Sequence, residues 1–373
     1  MKPPKKTLLT GFPEHFTARR LLAELLGADS EELVCCLVPE GSLERARALA
    51  GQLADELRER VQILPGDIAA MDFGLSGRHY LELARQVHRI HHAAAATHPG
   101  VHRQVAERIN VNGTGEVLEF AEVTGRLERL VLWSSALVSG THQGHIPESE
   151  IASPPSFRNV TEETRFVAET MARDLMDRIP TTILRPSIVV GDSKTGEIDR
   201  FDGPYLLVVL MLNSPLDLRL PLPGRGANTL PLVPVDYVVE AGVRIVSDPR
   251  SVGRTYHLVD PRPLTARRVF EIVARVTGHD GPVGNLPTGI ATRLLRTPGL
   301  NRVSHVPRAF LEQLATDVVY ESRNAEEILQ GTGIACPPFE QYAQVLVDYV
   351  RSRQAEQNAE AKQEVAQTPE AAS

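Results

Sequence analysis

Lys6–Thr10 (KTLLT) is a short apolar run that ends directly on Gly11, and the residues after it place Leu21, Leu22, Leu25 and Leu26 on one helix face. A strand that runs into glycine and then into a helix restricts the chain severely, because parallel strands need a helical crossover to be joined. The unit repeats. Leu33–Val38 (LVCCLV) is a continuous apolar run, as expected of a strand covered on both faces. Ser42 stands where it can cap the next helix, 42–60, whose stripe is Leu43, Ala46, Leu49, Leu53 and Leu57. A strand at 61–64, a helix near Leu81–Val87, an apolar stretch at Ile90–Ala96 and a helix from about Val105 to Val123 follow. Then come a strand at Leu130–Ser134, a helix over Thr161–Arg178 and a strand candidate at Thr182–Val190. This alternation predicts an α/β fold, a doubly wound parallel sheet with helices on both faces.

Beyond residue 190 the rhythm loosens, and Pro and Gly become dense over 215–236. Helical patterns return at 265–277, 306–317 and 338–352. The expected division is therefore a sheet domain over 1–190, a smaller C-terminal substrate-side lobe over 191–352 and a disordered polar tail over 353–373, which has almost no bulky apolar side chain. The chain has 40 Lys+Arg against 47 Asp+Glu, a net charge of −7, which leaves no basic footprint for nucleic acid. Three cysteines, two of them adjacent (Cys35, Cys36), make no disulfide framework and point to a reducing, cytoplasmic setting. MKPPKKTLLTGF has no apolar signal core, and the longest apolar run, Tyr205–Leu212, falls well short of the ~20 residues of a membrane span.

A strand, a glycine and a helix N-terminus form the usual beginning of a dinucleotide site, where backbone N–H groups and the helix dipole meet the pyrophosphate. Here the loop reads Gly11-Phe12-Pro13-Glu14-His15-Phe16-Thr17-Ala18, with only the first glycine of a G-x-x-G-x-x-G spacing. Pro13 removes a donor and Glu14 adds a negative charge. Further along come Gly66-Asp67-Ile68, Ile90-His91-His92-Ala93-Ala94-Ala95, Asn110-Val111-Asn112-Gly113-Thr114, Ser134-Ser135-Ala136 and Arg185-Pro186-Ser187. In that order they resemble the extended short-chain dehydrogenase/reductase superfamily. The segments Gly196–Tyr205 (GEIDRFDGPY) and Gly331–Phe339 (GTGIACPPF) are most similar to its thioester-reductase and fatty-acyl-CoA-reductase branch.

The resemblance implies a Rossmann-like domain binding NADP or NAD. Gly11 and Phe12 would lie in the phosphate loop, Asp67 and Ile68 beside the adenine, and His92, Ala93 and Ala94 along the cofactor, with Asn110 supporting the adjacent helix on the cofactor side. Arg185, Pro186 and Ser187 would shape the nicotinamide end of the crevice. Glu40 stands where NADP-preferring members carry a cation, and can accept from a ribose 2′-OH. The same residues read without the family are a loop-capping Asp, small packing residues, a helix cap and strand-end turns.

The family's catalytic set is a Ser or Thr after the fifth strand plus Tyr and Lys four apart on one helix face. Ser135 matches the serine; Thr161 and Arg165 occupy the tyrosine and lysine positions. A threonine hydroxyl is no useful acid near neutral pH, and losing a positioned acid typically slows a reaction ~10²–10⁴-fold. Arg165 keeps the charge in a different shape. The resemblance thus implies reduction of an acyl thioester, on coenzyme A or an acyl carrier, by a weakened enzyme. The alternatives are a non-catalytic protein binding nucleotide, acyl carrier or a protein partner, and, third, a sugar-nucleotide epimerase or dehydratase. His91, His92, His98 and His102 cluster in sequence, but Pro99 and the lack of nearby acids argue against a metal site.

Overall fold

The computed structural model describes residues 5–149, 156–214, 222–223, 226–282, 284–286, 314 and 317–367. In chain order the elements begin β1 (Lys6–Thr10), α1 (Phe16–Ala28), β2 (Leu33–Val38), α2 (Leu43–Ala50), α3 (Asp55–Arg58), β3 (Val61–Pro65), α4 (Gly77–Gln86) and β4 (Val87–His92). They continue with α5 (Arg103–Ala106), α6 (Gly113–Val123), β5 (Arg129–Trp133), β6 (Gly144–Ile146), α7 (Val160–Asp174), β7 (Thr181–Pro186) and β8 (Ile188–Val190). After these come α8 (Tyr205–Leu212), β9 (Leu222–Pro223), β10 (Leu232–Pro234), α9 (Val235–Ser247), β11 (Arg254–Leu258) and α10 (Ala266–Thr277). The last are β12 (Asn285–Leu286), β13 (Val318–Tyr320), α11 (Arg323–Leu329) and α12 (Phe339–Gln367).

Seven strands form one parallel sheet in the order β11-β7-β5-β4-β1-β2-β3. Strands β1, β2, β5 and β7 are buried on both faces because helices cover both. Successive residues feed opposite layers: Leu8, Cys35, Leu130 and Ile183 pack with α4 and α6, whereas Leu9, Cys36, Val131 and Leu184 pack with α1 and α9. On the first side Phe73, Tyr80 and Phe120 form an aromatic cluster with ring centroids 5.2–5.8 Å apart. The alternation in the sequence therefore becomes the expected doubly wound α/β sheet.

Several expected elements differ in extent. The single helix over 42–60 breaks after Ala50 into α2 and α3, and Ser42 makes no capping bond; its hydroxyl is turned to Glu14. The strand expected over 182–190 splits at Ser187, whose N–H goes to Leu258 O, so that β8 leaves the sheet and pairs with β10. The helix over 105–123 carries a π-helical turn at Glu107–Asn112.

Two compact units divide the chain. The sheet unit comprises 1–189, 231–263 and 316–336, so it extends past the expected boundary at 190: α9, β11 and α11 return to it, and β11 supplies its edge strand. The second unit comprises 190–230, 264–315 and 337–373, with α10 packed on α8 and α12. Within it Tyr205 OH accepts from Gly191 N–H at 2.7 Å. The polar segment expected as a disordered tail is helical as far as Gln367; 368–373 lie outside the described residues, as does nearly all of the helix expected at 306–317. Among the described residues no helix is long and apolar enough to cross a membrane.

Candidate active site

The C-terminal ends of β1, β4 and β5 converge with α7 on one side of the crevice that a doubly wound sheet leaves beyond its strands. Gly11, at φ +93°, is where β1 stops. A Cβ there would lie 2.8 Å from the backbone of Ala93 and Ala94, so only glycine lets the two loops touch. Phe12 is buried in the core. Glu14 accepts from Ser42 Oγ at 2.6 Å and pairs with Arg45 at 3.1 Å, which staples the loop after β1 to the turn after β2. A cation does stand at this end of the site, but it is engaged by Glu14. Glu40, in the same turn, is exposed.

The loop after β4 has its donors occupied. Ala94 N–H goes to Thr10 Oγ1 at 3.2 Å, Ala95 N–H to His15 Nε2 at 3.1 Å, and Ala96 N–H to Asn110 Oδ1 at 2.6 Å. Asn110 sits in the π-helical turn rather than at a helix cap, and its amide also donates to Thr164 on α7 at 2.8 Å. A polar chain runs behind the loop: Thr10 Oγ1 lies 2.8 Å from His92 Nδ1, His92 Nε2 lies 3.0 Å from Thr114 Oγ1, and Thr114 donates to Asn110 O. Since the Thr114 proton is committed, His92 donates from Nε2 and accepts at Nδ1. Burial, with Arg165 and His15 nearby, lowers His92 to about 4, so at neutral pH it is an uncharged strut.

Four residues one turn apart form a ladder along α7: Thr161, Arg165, Glu169 and Arg173. Thr161 Oγ1 donates to His98 O at 3.1 Å. Arg165 donates to Trp133 O at 3.0 Å and Ser134 O at 2.7 Å, capping carbonyls that the end of β5 leaves open. Burial lowers its guanidinium to about 10, against the pull of Glu169, so it remains charged. Glu169 accepts from Ser134 Oγ at 2.6 Å, Arg173 at 2.9 Å and Arg185 at 2.5 Å. Burial works to raise this carboxyl, but Arg185, Arg173 and the Ser134 hydroxyl together bring it down to about 2. A small cavity of about 20 Å³, room for one water, is bounded by His92, Asn110, Ser134 and Arg165. Ser135 has a less committed hydroxyl than Ser134 or Thr161. It accepts from Leu137 N–H at 3.2 Å and reaches Pro186 O only at 3.5 Å.

The structure therefore brings Ser135 and Arg165 to the end of β5, and Thr161, Gly11 and Asn110 to the loop after β4 that follows His92 and holds Ala93 and Ala94. Asp67 accepts from Ala69 N–H and from Arg108, while Ile68 packs against Gly113. The Arg185 guanidinium is buried against Glu169 and His257. Ser187 Oγ is buried without a hydrogen-bond partner. His98 is in a loop and His102 precedes α5, so the two do not share a helix face. Residues that the sequence did not single out are His15, Thr10, Glu169 and Arg173. The last two continue the four-residue spacing from Thr161, which was a usable signal.

Dinucleotide fits this crevice unevenly. The Gly11 cradle and the acceptors Glu40 and Asp67 suit an adenosine, but in the loop after β1 Pro13 has no N–H and His15 N–H already goes to Gly11 O, which leaves few donors for a pyrophosphate. Glu14 and Glu40 oppose an additional 2′-phosphate.

Residues 9–242 match the profile of the family described as male sterility protein, an NAD-binding family. Glycine betaine reductase of Emericella nidulans is 29% identical over 284 residues, 72% of this chain and 22% of that protein. A fatty acyl-CoA reductase of Drosophila melanogaster is 26% identical over 51% of this chain and 42% of its own length. The chain thus spans less than half of either relative. Among solved structures, the terminal R domain from the myxalamid PKS-NRPS biosynthetic pathway superposes with a TM-score of 0.79 at 25% identity, covering 94% of this chain and 91% of that one. UDP-glucuronic acid 4-epimerase from Bacillus cereus gives 0.67 at 17% identity, covering 93% and 99%, which is a likeness of fold.

Proposed function

The chain belongs to the male sterility protein family, within the extended short-chain dehydrogenase/reductase group, and we propose that it is a nicotinamide-dependent acyl-thioester reductase of reduced catalytic power. The reductase reading draws support from the relatives named above. The weakening rests on one observation: Thr161 and Arg165, at the positions of the family's acid and its lysine, direct their polar groups to backbone carbonyls.

When bound, the nicotinamide would supply hydride to the thioester carbonyl. Ser135 would hydrogen-bond the carbonyl oxygen through its hydroxyl without giving up the proton, since the bond it exchanges, to Pro186 O, is long. Thr161 would have to break its bond to His98 O before it could approach a substrate, and its hydroxyl is too weak an acid to protonate the developing alkoxide. Arg165 would keep the Ser134–Ser135 strand end in place and contribute positive charge behind it. His92, neutral and with its Nε2 proton held by Thr114, is no general acid. The C–S bond would then break to release the aldehyde and the thiolate, water would be the proton source for the thiol, and the rate suffers. An acyl carrier as the form in which substrate arrives is part of the same proposal.

Cofactor titration followed by Trp133 fluorescence tests the reading, because Trp133 borders the small cavity beside Arg165. NADH is expected to bind at least about tenfold more tightly than NADPH, the discrimination of about 1.4 kcal/mol that one repelled 2′-phosphate supplies. Equal or tighter NADPH binding would contradict the assignment of Glu14 and Glu40, and no binding of either would favour the non-catalytic alternative.

A further inference from the structure

Arg129 opens β5 at the end of the sheet opposite the crevice, roughly 15–20 Å below Ser135 at the rise of an extended strand. It faces the α9 side with Val131, since alternate residues of a strand share a face. Its Nη1 is held: Thr182 Oγ1 accepts at 2.9 Å and Ser251 Oγ at 2.6 Å. Both acceptors are neutral, and their own protons go to Ser251 O and Asp248 O. The other edge of the guanidinium is open. Nε is buried without a hydrogen-bond partner, and Nη2 makes no bond among the described residues. On the same face Tyr256, fully buried, also has a hydroxyl without a partner. We propose that the Nε–Nη2 edge of Arg129, together with the Tyr256 hydroxyl, is a binding site for a small carboxylate of one or two carbons.

A buried charge calls for a counter-charge, and the carboxylates near Arg129 are engaged elsewhere. Glu128 and Asp248 are the two that act on it. Glu128 takes Lys5 at 2.6 Å and Arg89 at 3.8 Å, and Asp248 takes Arg250 at 2.9 Å. Arg89, the register partner of Arg129 on β4, is also compensated by Glu32 at 3.3 Å. Among the described residues Arg129 pairs with no carboxylate, and burial holds its guanidinium below the ordinary value. Water would fill the open N–H bonds but leave the charge unbalanced. A carboxylate does both, because the Nε and Nη2 protons point the same way and match its two oxygens, a fit that a spherical chloride lacks. Tyr256 is near enough to act electrostatically on the guanidinium, and its proton is the third donor. Only 8% of Arg129 is exposed, which restricts the site to a small ion.

The site requires neither cofactor nor turnover, so its test stands apart from the reductase reading. Fluoroacetate is titrated against the full chain and followed by the broadening of its fluorine NMR line, with acetate and chloride as competitors. Acetate is expected to displace the probe at least about tenfold more effectively than chloride. Arg129→Gln should abolish the broadening. Tyr256→Phe removes only an unbonded hydroxyl, so it should fold with unchanged stability and weaken the probe about fivefold, the loss of one hydrogen bond. Circular dichroism checks that each variant is folded. An absence of broadening would show that water alone fills the site. That result, equal displacement by chloride, or unchanged affinity in either folded variant would each overturn the proposal.

Discussion

Glu169 accepts from Ser134, Arg173 and Arg185 at once, and its buried charge is tolerable only because two guanidinium groups face it. Ser134 is consequently held twice, through its hydroxyl by Glu169 and through its carbonyl by Arg165, and Ser135 follows directly from that anchored point. Glu169→Gln leaves Arg185 buried without its counter-charge. The loss expected is about 3–5 kcal/mol, measured by chemical denaturation at neutral pH. A loss below about 1 kcal/mol would show the pair to be replaceable. The sign with pH follows from the depressed carboxyl: its contribution is present above the ordinary carboxylate range and is lost as pH falls toward about 2. Residue types at this site were legible in the sequence, but the direction of each side chain was not. Nothing in the order Thr161, Arg165 tells that both point at carbonyls, since that depends on where β5 ends against α7.

At the scale of elements, Glu148 ties the segment after β6 to β11 and α11, accepting from His257, Asn324 and Ala325 N–H at 2.9, 2.6 and 3.3 Å. Burial raises this carboxyl to about 7, although the three N–H bonds pull the other way. A raised acid stabilises the fold below its ordinary pKa of 4.5, and that contribution is lost as pH rises through about 7. The buried His91, His92 and His257, all lowered by burial, act in the opposite sense, but equally in wild type and variant. Relative to Glu148→Gln, wild type should therefore lose about 3 kcal/mol between pH 5 and pH 8, read from paired denaturation curves. Parallel curves would contradict it. Strand–helix alternation made β1 to β5 and α1 legible, because their apolar residues repeat with one period each. The turning of Ser42 away from its capping role and the turn at Ser187 were not, because both depend on partners distant in sequence: Glu14 for Ser42, and Leu258 for Ser187.

For the molecule as a whole, the sequence divided the chain at 190, whereas the sheet unit also takes 231–263 and 316–336. Strand β11 has ordinary strand composition but lies in a stretch whose Pro and Gly content conceals the return; only its register with β7, Tyr256 beside Leu184, shows where it belongs. The family likeness and the sheet agree with what the ordered motifs implied. What they leave to experiment is whether retained architecture with an altered acid and lysine still performs the chemistry. The double substitution Thr161→Tyr with Arg165→Lys, assayed by thioester-dependent NADH oxidation on acyl-CoA substrates, tests this most directly. The account predicts slow wild-type turnover and a rise of at least about 10²-fold in the folded double variant. Wild-type turnover equal to that of the double variant would contradict it.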